Sequence, residues 1–323
     1  MVRVALEPAE YPYFDYRRFT FSLGIVANGT AWLSGATAVR FDKARGGMIV
    51  DGDLLAQARV ILDKMRCTLA AGELGLDDVV RHVEYVTPAA LPALAHLAEL
   101  RREVYGQRGP SVSTILVKSL LRAEALVEIE AVASRGRPSD MVYVAHAASD
   151  EVEGQGEAAR ALEVRGLLPA DVVRRLVLAT PTVMQVKPAA SEPKAGLRIV
   201  MPRLASRESG VQVELSASRS RGVLAVTVEG DPAAGDVVGQ TREAYARIAR
   251  TLENSGSSLD AVVKTTEFVV PTALAGYRQT ADVRREVFAA PYPAATGVIC
   301  ERLPRAGGLI AVEAIAVIAE GLA

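Results

Sequence analysis

One block of sequence occurs twice in this chain of 323 residues, 183 positions apart, and a worn third copy lies between the two. The run Asp78-Val79-Val80-Arg81-His82-Val83-Glu84-Tyr85-Val86-Thr87-Pro88 falls on Ala261 to Pro271 when 183 is added, and on Asp171 to Pro181 when 93 is added. No other feature constrains the fold as strongly, because a repeated unit buries its apolar surface against its own copies. The longer offset holds without a gap over a long stretch. Asp53 falls on Asp236, Gln57 on Gln240, Arg101-Arg102-Glu103-Val104 on Arg284-Arg285-Glu286-Val287, Pro110 on Pro293 and Glu130 on Glu313. Before Asp53 the first copy carries an insertion, Asp42 to Gly52. In the middle copy the closing strand Val211-Gln212-Val213-Glu214 matches Val127-Glu128-Ile129-Glu130 at an offset of only 84, so residues are missing after Pro181. The stretch Thr182 to Gly196 holds Pro188 and Pro193 and shows no helical period, which predicts that the second helix of this copy is gone.

Each full copy reads as β-β-α-β-α-β. Leu54, Ala58, Ile61, Met65 and Leu69 recur at helical spacing behind Asp53 as N-cap, and Gly72 and Gly75 end the helix. Val79 to Val86 is a strand, Leu94 to Tyr105 a second amphipathic helix, and Ser113 to Lys118 and Leu126 to Ala133 are closing strands. The expected division is 1–137, 138–218 and 219–323, an α+β fold of three tandem units.

Composition excludes several functions. The net charge is −1 and half the residues are apolar, with no basic patch, so nucleic acid is not an expected partner. Cys67 and Cys300 give no disulfide framework, which suits a reducing compartment. Met1 to Arg18 has no apolar signal core, and the apolar stretch Leu309 to Ala319 contains Glu313 and is too short to span a bilayer. The expectation is a soluble, cytoplasmic protein with a small-molecule substrate. No metal is expected, since neither His82 nor His96 has a second His or Cys at i+2, i+3 or i+4, and no cofactor, since there is no phosphate-cradling glycine loop.

Several short motifs in fixed order resemble the RidA/YjgF family of enamine/imine deaminases. They are Phe21-Ser22 ahead of an Asn-Gly turn, Leu33-Ser34-Gly35, Val262-Val263-Lys264-Thr265-Thr266, Pro293-Ala294-Ala295-Thr296, Arg302-Leu303-Pro304 and Val312-Glu313-Ala314. The resemblance implies a chorismate-mutase-like unit, found in homotrimers with small-molecule sites in the three clefts between neighbours. Three copies in one chain then imply a fused pseudo-trimer, either monomeric or further assembled.

The resemblance also implies an Arg two residues after the motif Pro, which clamps a substrate carboxylate. Here that position is Val112, Gly196 or Ala295, so ordinary 2-aminoacrylate deamination is not expected. The water-orienting Glu maps to Glu128 in the first copy, Gln212 in the second and Ala311 in the third, which leaves Glu128 as the catalytic candidate. By the same resemblance Phe21, Ser34, Gly35, Ser113 and Thr114 bind substrate. His146 occupies the Ser-Gly position of the middle copy, and Arg198 lies two residues after Gly196, where a displaced anion clamp would stand. Glu130, Glu214 and Glu313 share one position and are expected to be structural, and Arg122 and Arg305, on equivalent loops, are expected to be solvated. The implied function is a divergent RidA-like enzyme acting on a small enamine, imine or unsaturated acid. The alternatives are a lyase or hydrolase resembling the chorismatases, and a non-catalytic ligand binder.

Overall fold

The computed structural model describes residues 2–107, 109–135, 139–182, 197–204, 209–220 and 222–318. Three mixed sheets follow one another along the chain. The first runs Val4–Ala5, Gly24–Ala27, Thr30–Leu33, Val127–Ser134, Val79–Val86, Ser111–Leu116 in spatial order. The second runs Met141–Ala148, Val211–Ser218, Val172–Ala179, Leu197–Val200. The third runs Val223–Glu229, Ile310–Val317, Val262–Val269, Ala294–Ile299. In each, the strand that opens the quoted repeat pairs antiparallel with the closing strand and parallel with the strand before it. The architecture is therefore an α+β pseudo-trimer within one chain.

The helices form where the periodicity places them. Leu54–Ala70, Glu151–Glu163 and Val237–Asn254 each follow an Asp whose carboxylate accepts a backbone N–H of the first turn. Second helices follow in the first copy, Leu94–Tyr105, and in the third, Leu274–Tyr277 and Thr280–Val287. The expected loss of this helix in the middle copy falls on residues 183–196, which lie outside the described residues. The third copy departs from the expected pattern in having one leading strand, not two. Its strand Val223–Glu229 starts only a few residues after Val211–Ser218 ends, which leaves no chain for a hairpin.

The repeated glutamine has a mechanical reason. The Gln57 amide donates to the carbonyls of Gly52 and Glu124 and accepts from the N–H of Leu126. Gln240 does the same with Gly235, Gly307 and Leu309. One buried side chain thereby satisfies three backbone groups and fixes the loop into the closing strand.

The units interlock. Ser119–Leu120 of the first copy leaves its own sheet and pairs with Val298–Ile299 at the edge of the third. Val200 of the second bridges Arg302 of the third, and Ser22 of the first bridges Ala294 of the third. One apolar cluster joins Ile25 and Trp32 of the first copy, Met141 and Tyr143 of the second, and Val263 and Ile315 of the third.

At the centre, three buried ion pairs close a ring. Glu130 of the first copy meets Lys264 of the third at 2.8 Å, Glu313 of the third meets Arg174 of the second at 2.7 Å, and Glu214 of the second meets Arg81 of the first at 2.8 Å. Arg81, Arg174 and Lys264 are one position of the repeat, as are the three glutamates. Removing one partner of a buried pair strands the other charge, at a cost of about 3–5 kcal/mol. Arg174→Met, which strands Glu313 and leaves Glu214 to Arg81 alone, should lower thermal stability by that order. The same change at Arg59, whose pair with Glu103 is solvent-exposed, should shift the melting temperature little. Circular-dichroism melts of the two variants check this.

Candidate functional site

The closing strand of the first copy carries Glu128 two residues before ring member Glu130, so alternation puts both on one face. Glu128 is buried, 6 % exposed, and lies at a cavity of about 210 Å³. Its carboxylate crosses directly over Gly35. A Cβ on Gly35 would stand 2.1 Å from Glu128 Oε1 and 2.9 Å from Thr296 Oγ1, so only glycine admits the acid there. Burial first, and then the like charge of Glu130, push the Glu128 carboxyl up to about 8, against the pull of Lys264. Lys264 does not relieve it, because its ammonium is committed to Glu130, to the Leu33 carbonyl at 2.9 Å and to Thr296 Oγ1 at 2.6 Å. Burial also opposes ionisation of Glu130. Lys264, Arg81 and the Thr296 hydroxyl nonetheless hold that carboxyl below the ordinary range. Two carboxyls on one strand are thus set apart, one ionised and one neutral near pH 7.

The cavity is lined by residues of the first copy, and at Ser34 and Gly35 it borders the seam between the first and third copies. Ser34 Oγ donates to the Ser22 carbonyl at 2.6 Å and accepts from Ala295 N at 2.8 Å. Gly35 N donates to Ala295 O at 3.0 Å and to Thr296 Oγ1 at 2.9 Å. Ser22 N donates to Pro293 O at 3.2 Å, and Ser22 Oγ to Tyr292 O at 2.7 Å. Ala295, where the resemblance expects the clamping Arg, here contributes only its backbone to the seam.

Above Glu128 the walls are apolar. Phe21, Leu23, Leu33 and Met65 line the cavity together with Tyr11, Phe14 and Phe19 of the N-terminal segment. Phe19 stacks on Phe21 at 5.5 Å between centroids, and Phe14 meets Phe19 edge-on at 5.8 Å. Met48, on the hairpin strand Gly47–Ile49 of the first-copy insertion, closes another side. Two segments that lie outside the repeat therefore both build this cavity. Lys64 also lines it. Its ammonium donates to Thr37 O at 2.8 Å and to Val39 O, and lies 5.0 Å and 5.2 Å from the Tyr13 and Phe14 ring centres. Burial pulls Lys64 down to about 7.

Of the expected site residues, Glu128, Phe21, Ser34 and Gly35 come together here. The other four do not. Ser113 and Thr114 lie on Ser111–Leu116, which packs beside the strand Met141–Ala148 of the second copy, and Thr114 Oγ1 donates to the buried Glu84 at 2.5 Å. Their counterparts in the third copy, Thr296 and Gly297, face the first copy instead. His146 pairs with Val213 within the second sheet. Arg198 meets Glu151 of its own copy at 2.6 Å, where it cannot clamp an anion beside Glu128. The aromatic N-terminal segment, Met48, Lys64 and Arg122 were not expected at a site. The dense run Tyr11-Pro12-Tyr13-Phe14 was the available signal, since so few residues of this chain are aromatic. Among the described residues no group of three or more His, Cys, Asp or Glu could hold a metal ion, and no helix is long and apolar enough to cross a membrane.

Known proteins are similar to single copies of this chain. The family model described as Endoribonuclease L-PSP matches residues 17–135 and 219–318, the first and third copies. The RutC family protein PH0854 of Pyrococcus horikoshii is 28% identical over 113 residues, which is 35% of this chain and 85% of that protein. Among solved structures, the Rid-family protein YyfA of Yersinia pestis aligns at 23% identity with a TM-score of 0.35, covering 42% of this chain and 100% of its own. Rv2704 of Mycobacterium tuberculosis, a member of the YjgF/YER057c/UK114 family, aligns at 24% identity with a TM-score of 0.33 over the same shares.

A carboxyl raised by burial has a signature in stability. Folded Glu128 holds its proton up to about pH 8, while the unfolded chain releases it near 4.5. Between those values the native state binds more protons than the unfolded state, so its stability falls as pH rises and levels off above about 8. Glu128→Gln removes the effect. The variant should match the wild type near pH 4.5, gain on it steadily to pH 8 and keep a constant advantage beyond. Urea melts at a series of pH values check this, and parallel curves for the two proteins would contradict it.

Proposed function

The chain belongs to the Endoribonuclease L-PSP family, the RidA/YjgF proteins, and from that premise we propose that it is a divergent enzyme acting on a small enamine, imine or unsaturated acid at the Glu128 cleft. The observation that carries the proposal is the neutral carboxyl of Glu128 at the floor of a largely apolar cavity. A carboxylic acid that keeps its proton near pH 7 is a general acid tuned to the working pH.

With an enamine, Glu128 gives its proton to the terminal carbon. The C=C electron pair forms the new C–H bond, and the nitrogen lone pair forms an iminium C=N. The carboxylate left behind takes a proton from a water as its oxygen adds to the iminium carbon. Water addition has already returned the proton to Glu128. The C–N bond of the resulting carbinolamine then breaks as Glu128 gives a proton to the nitrogen and takes one from the hydroxyl, releasing ammonia and a carbonyl compound and leaving the acid protonated as at the start. The apolar walls keep bulk water from the iminium until one molecule is placed, and they strengthen every polar contact inside.

The second and third copies are read as supports. Gln212 donates to Glu214 at 3.0 Å, and Ala311 has no titrating group, so neither moves a proton at its cleft. A ligand-binding role without turnover is the competing reading, favoured by Ala295 and Val112 at the clamp position.

Ammonia release should be measured on enamines generated in situ from apolar amino acids, with 2-aminoacrylate alongside. The apolar substrates should turn over. 2-Aminoacrylate should be slower than in an Arg-bearing family member by roughly 10–150-fold, the equivalent of one charge-assisted hydrogen bond. Because the acid form of Glu128 acts first, the rate should fall as pH rises through about 8. Glu128→Gln should abolish turnover while Gln212→Ala leaves it intact. Full turnover in Glu128→Gln would defeat the assignment, and no turnover of any substrate with retained binding would favour the competing reading.

A further inference from the structure

Arg122 also lines the Glu128 cavity, at its rim, among apolar side chains. Leu121, its neighbour in the chain, also lines the cavity and is 47 % exposed, which marks this end as the mouth. The repeat supplies an internal control. Arg305, the same position in the third copy, has a carboxylate partner in Asp231 at 3.6 Å, and its backbone N–H donates to Glu229 at 2.6 Å. Among the described residues Arg122 meets no such carboxylate. Its loop is nevertheless held firmly. Ser119–Leu120 on one side pairs with the third sheet, Gln57 on the other grips Glu124 O and Leu126 N, and Ala125 N donates to Arg122 O at 3.1 Å. Lys64, the other cation of the lining, already spends its ammonium on two carbonyls and two ring faces.

We propose that Arg122 is the anion-binding group of this cleft, and that the ligand is an elongated acid: a carboxylate at the mouth on Arg122, an apolar chain or ring along the aromatic walls, and the reactive unsaturation at Glu128. This rests on the Glu128 cleft being the ligand site, and it narrows the substrate class within that reading. A guanidinium in a rigid loop loses little freedom on forming a forked pair with a carboxylate, and the apolar surround raises the value of that pair above that of an open surface contact. A small α-imino acid fits poorly, because its carboxylate sits one bond from the reacting carbon and would lie beside Glu128, where Lys264 is already engaged and no other cation of the described residues lines the cavity floor.

The test compares 4-phenylbutyrate with 4-phenylbutyramide, which share a body and differ in charge. Affinities are read by calorimetry, and location by the methyl signals of 13C-labelled methionine, since Met48 and Met65 both line the cavity. The wild type should bind the acid at least about tenfold more tightly than the amide, with both ligands shifting Met48 and Met65. Arg122→Gln should erase the preference and leave amide binding unchanged, Arg122→Lys should keep part of it, and Arg305→Gln should keep all of it. Equal binding of acid and amide at Met48 and Met65, or a preference that survives Arg122→Gln, overturns the role of Arg122 and leaves the cleft standing. If neither compound moves the Met48 and Met65 signals, the cleft is not the ligand site, and both readings fall.

Discussion

The ring of three buried ion pairs on the pseudo-threefold axis is the constraint on which the rest of the structure depends. Each glutamate makes its shortest ion pair with a cation of a different copy, and although Glu214 also meets Arg174 of its own copy at 3.4 Å, no two copies alone leave every ring charge paired. A buried pair contributes little net stability over an apolar replacement, but a buried charge left alone is expensive. The ring therefore acts mainly as a register device. It admits the arrangement in which all three units meet in one sense of rotation and penalises partial or reversed assembly. Strand exchange at Ser119–Leu120 reinforces the same order with backbone hydrogen bonds.

The ring also sets the chemistry of the cleft. Lys264 is drawn to Glu130, Leu33 O and Thr296, which leaves Glu128, one strand repeat away, with a neighbouring negative charge and no cation of its own. The second copy resolves the same position differently, with Gln212 donating to its ring carboxylate Glu214. The third resolves it with Ala311. A structural interaction common to all three copies thus produces a titrating acid in only one of them, because only one retains a carboxyl beside the ring. The two full copies share a further buried pair, Glu84 with Arg101 and Glu267 with Arg284, tying the second helix to the sheet. In the middle copy the corresponding strand position is Val177, buried in that copy's own apolar cluster. The carboxylate went where the arginine-bearing partner segment changed, as an uncompensated buried charge requires.

Much of the fold was legible because it follows from local rules repeated three times. Asp caps, helical spacing and β-branched runs place the elements, and the offset places them again. Within the site, Glu128, Gly35, Ser34 and Phe21 were legible through motif order. Ser113 and Thr114 lie away from Glu128 for a geometrical reason. In a cyclic arrangement the strand that faces Glu128 comes from the neighbouring copy, so the residues that matter are their counterparts near Thr296, and a linear offset does not say which neighbour that is. For Arg198 the position on the strand was readable but its partner, Glu151 on the preceding helix, was not. Arg122 and Arg305 have equivalent positions by repeat, and only the fold separates the one beside Asp231 from the one at a cavity mouth.

Fusion explains why such asymmetry can exist. In a homotrimer a substitution enters all three clefts at once, so an insertion that encloses one cleft encloses every cleft, and a lost clamp is lost everywhere together. Here the N-terminal aromatic segment and the Arg40–Asp42 and Gly47–Ile49 hairpin belong to the first copy alone, and residues of both line the cavity at Glu128. The second copy is free to shorten because its cleft has no acid to shelter, while its Arg174 and Glu214 still complete the ring. What the middle copy retains is its share of the axis, and what the first copy has gained is the enclosure of Glu128. The two changes are complementary: a scaffold position must satisfy its neighbours' buried charges, and Glu128, which has no cation of its own, is buried by keeping its proton.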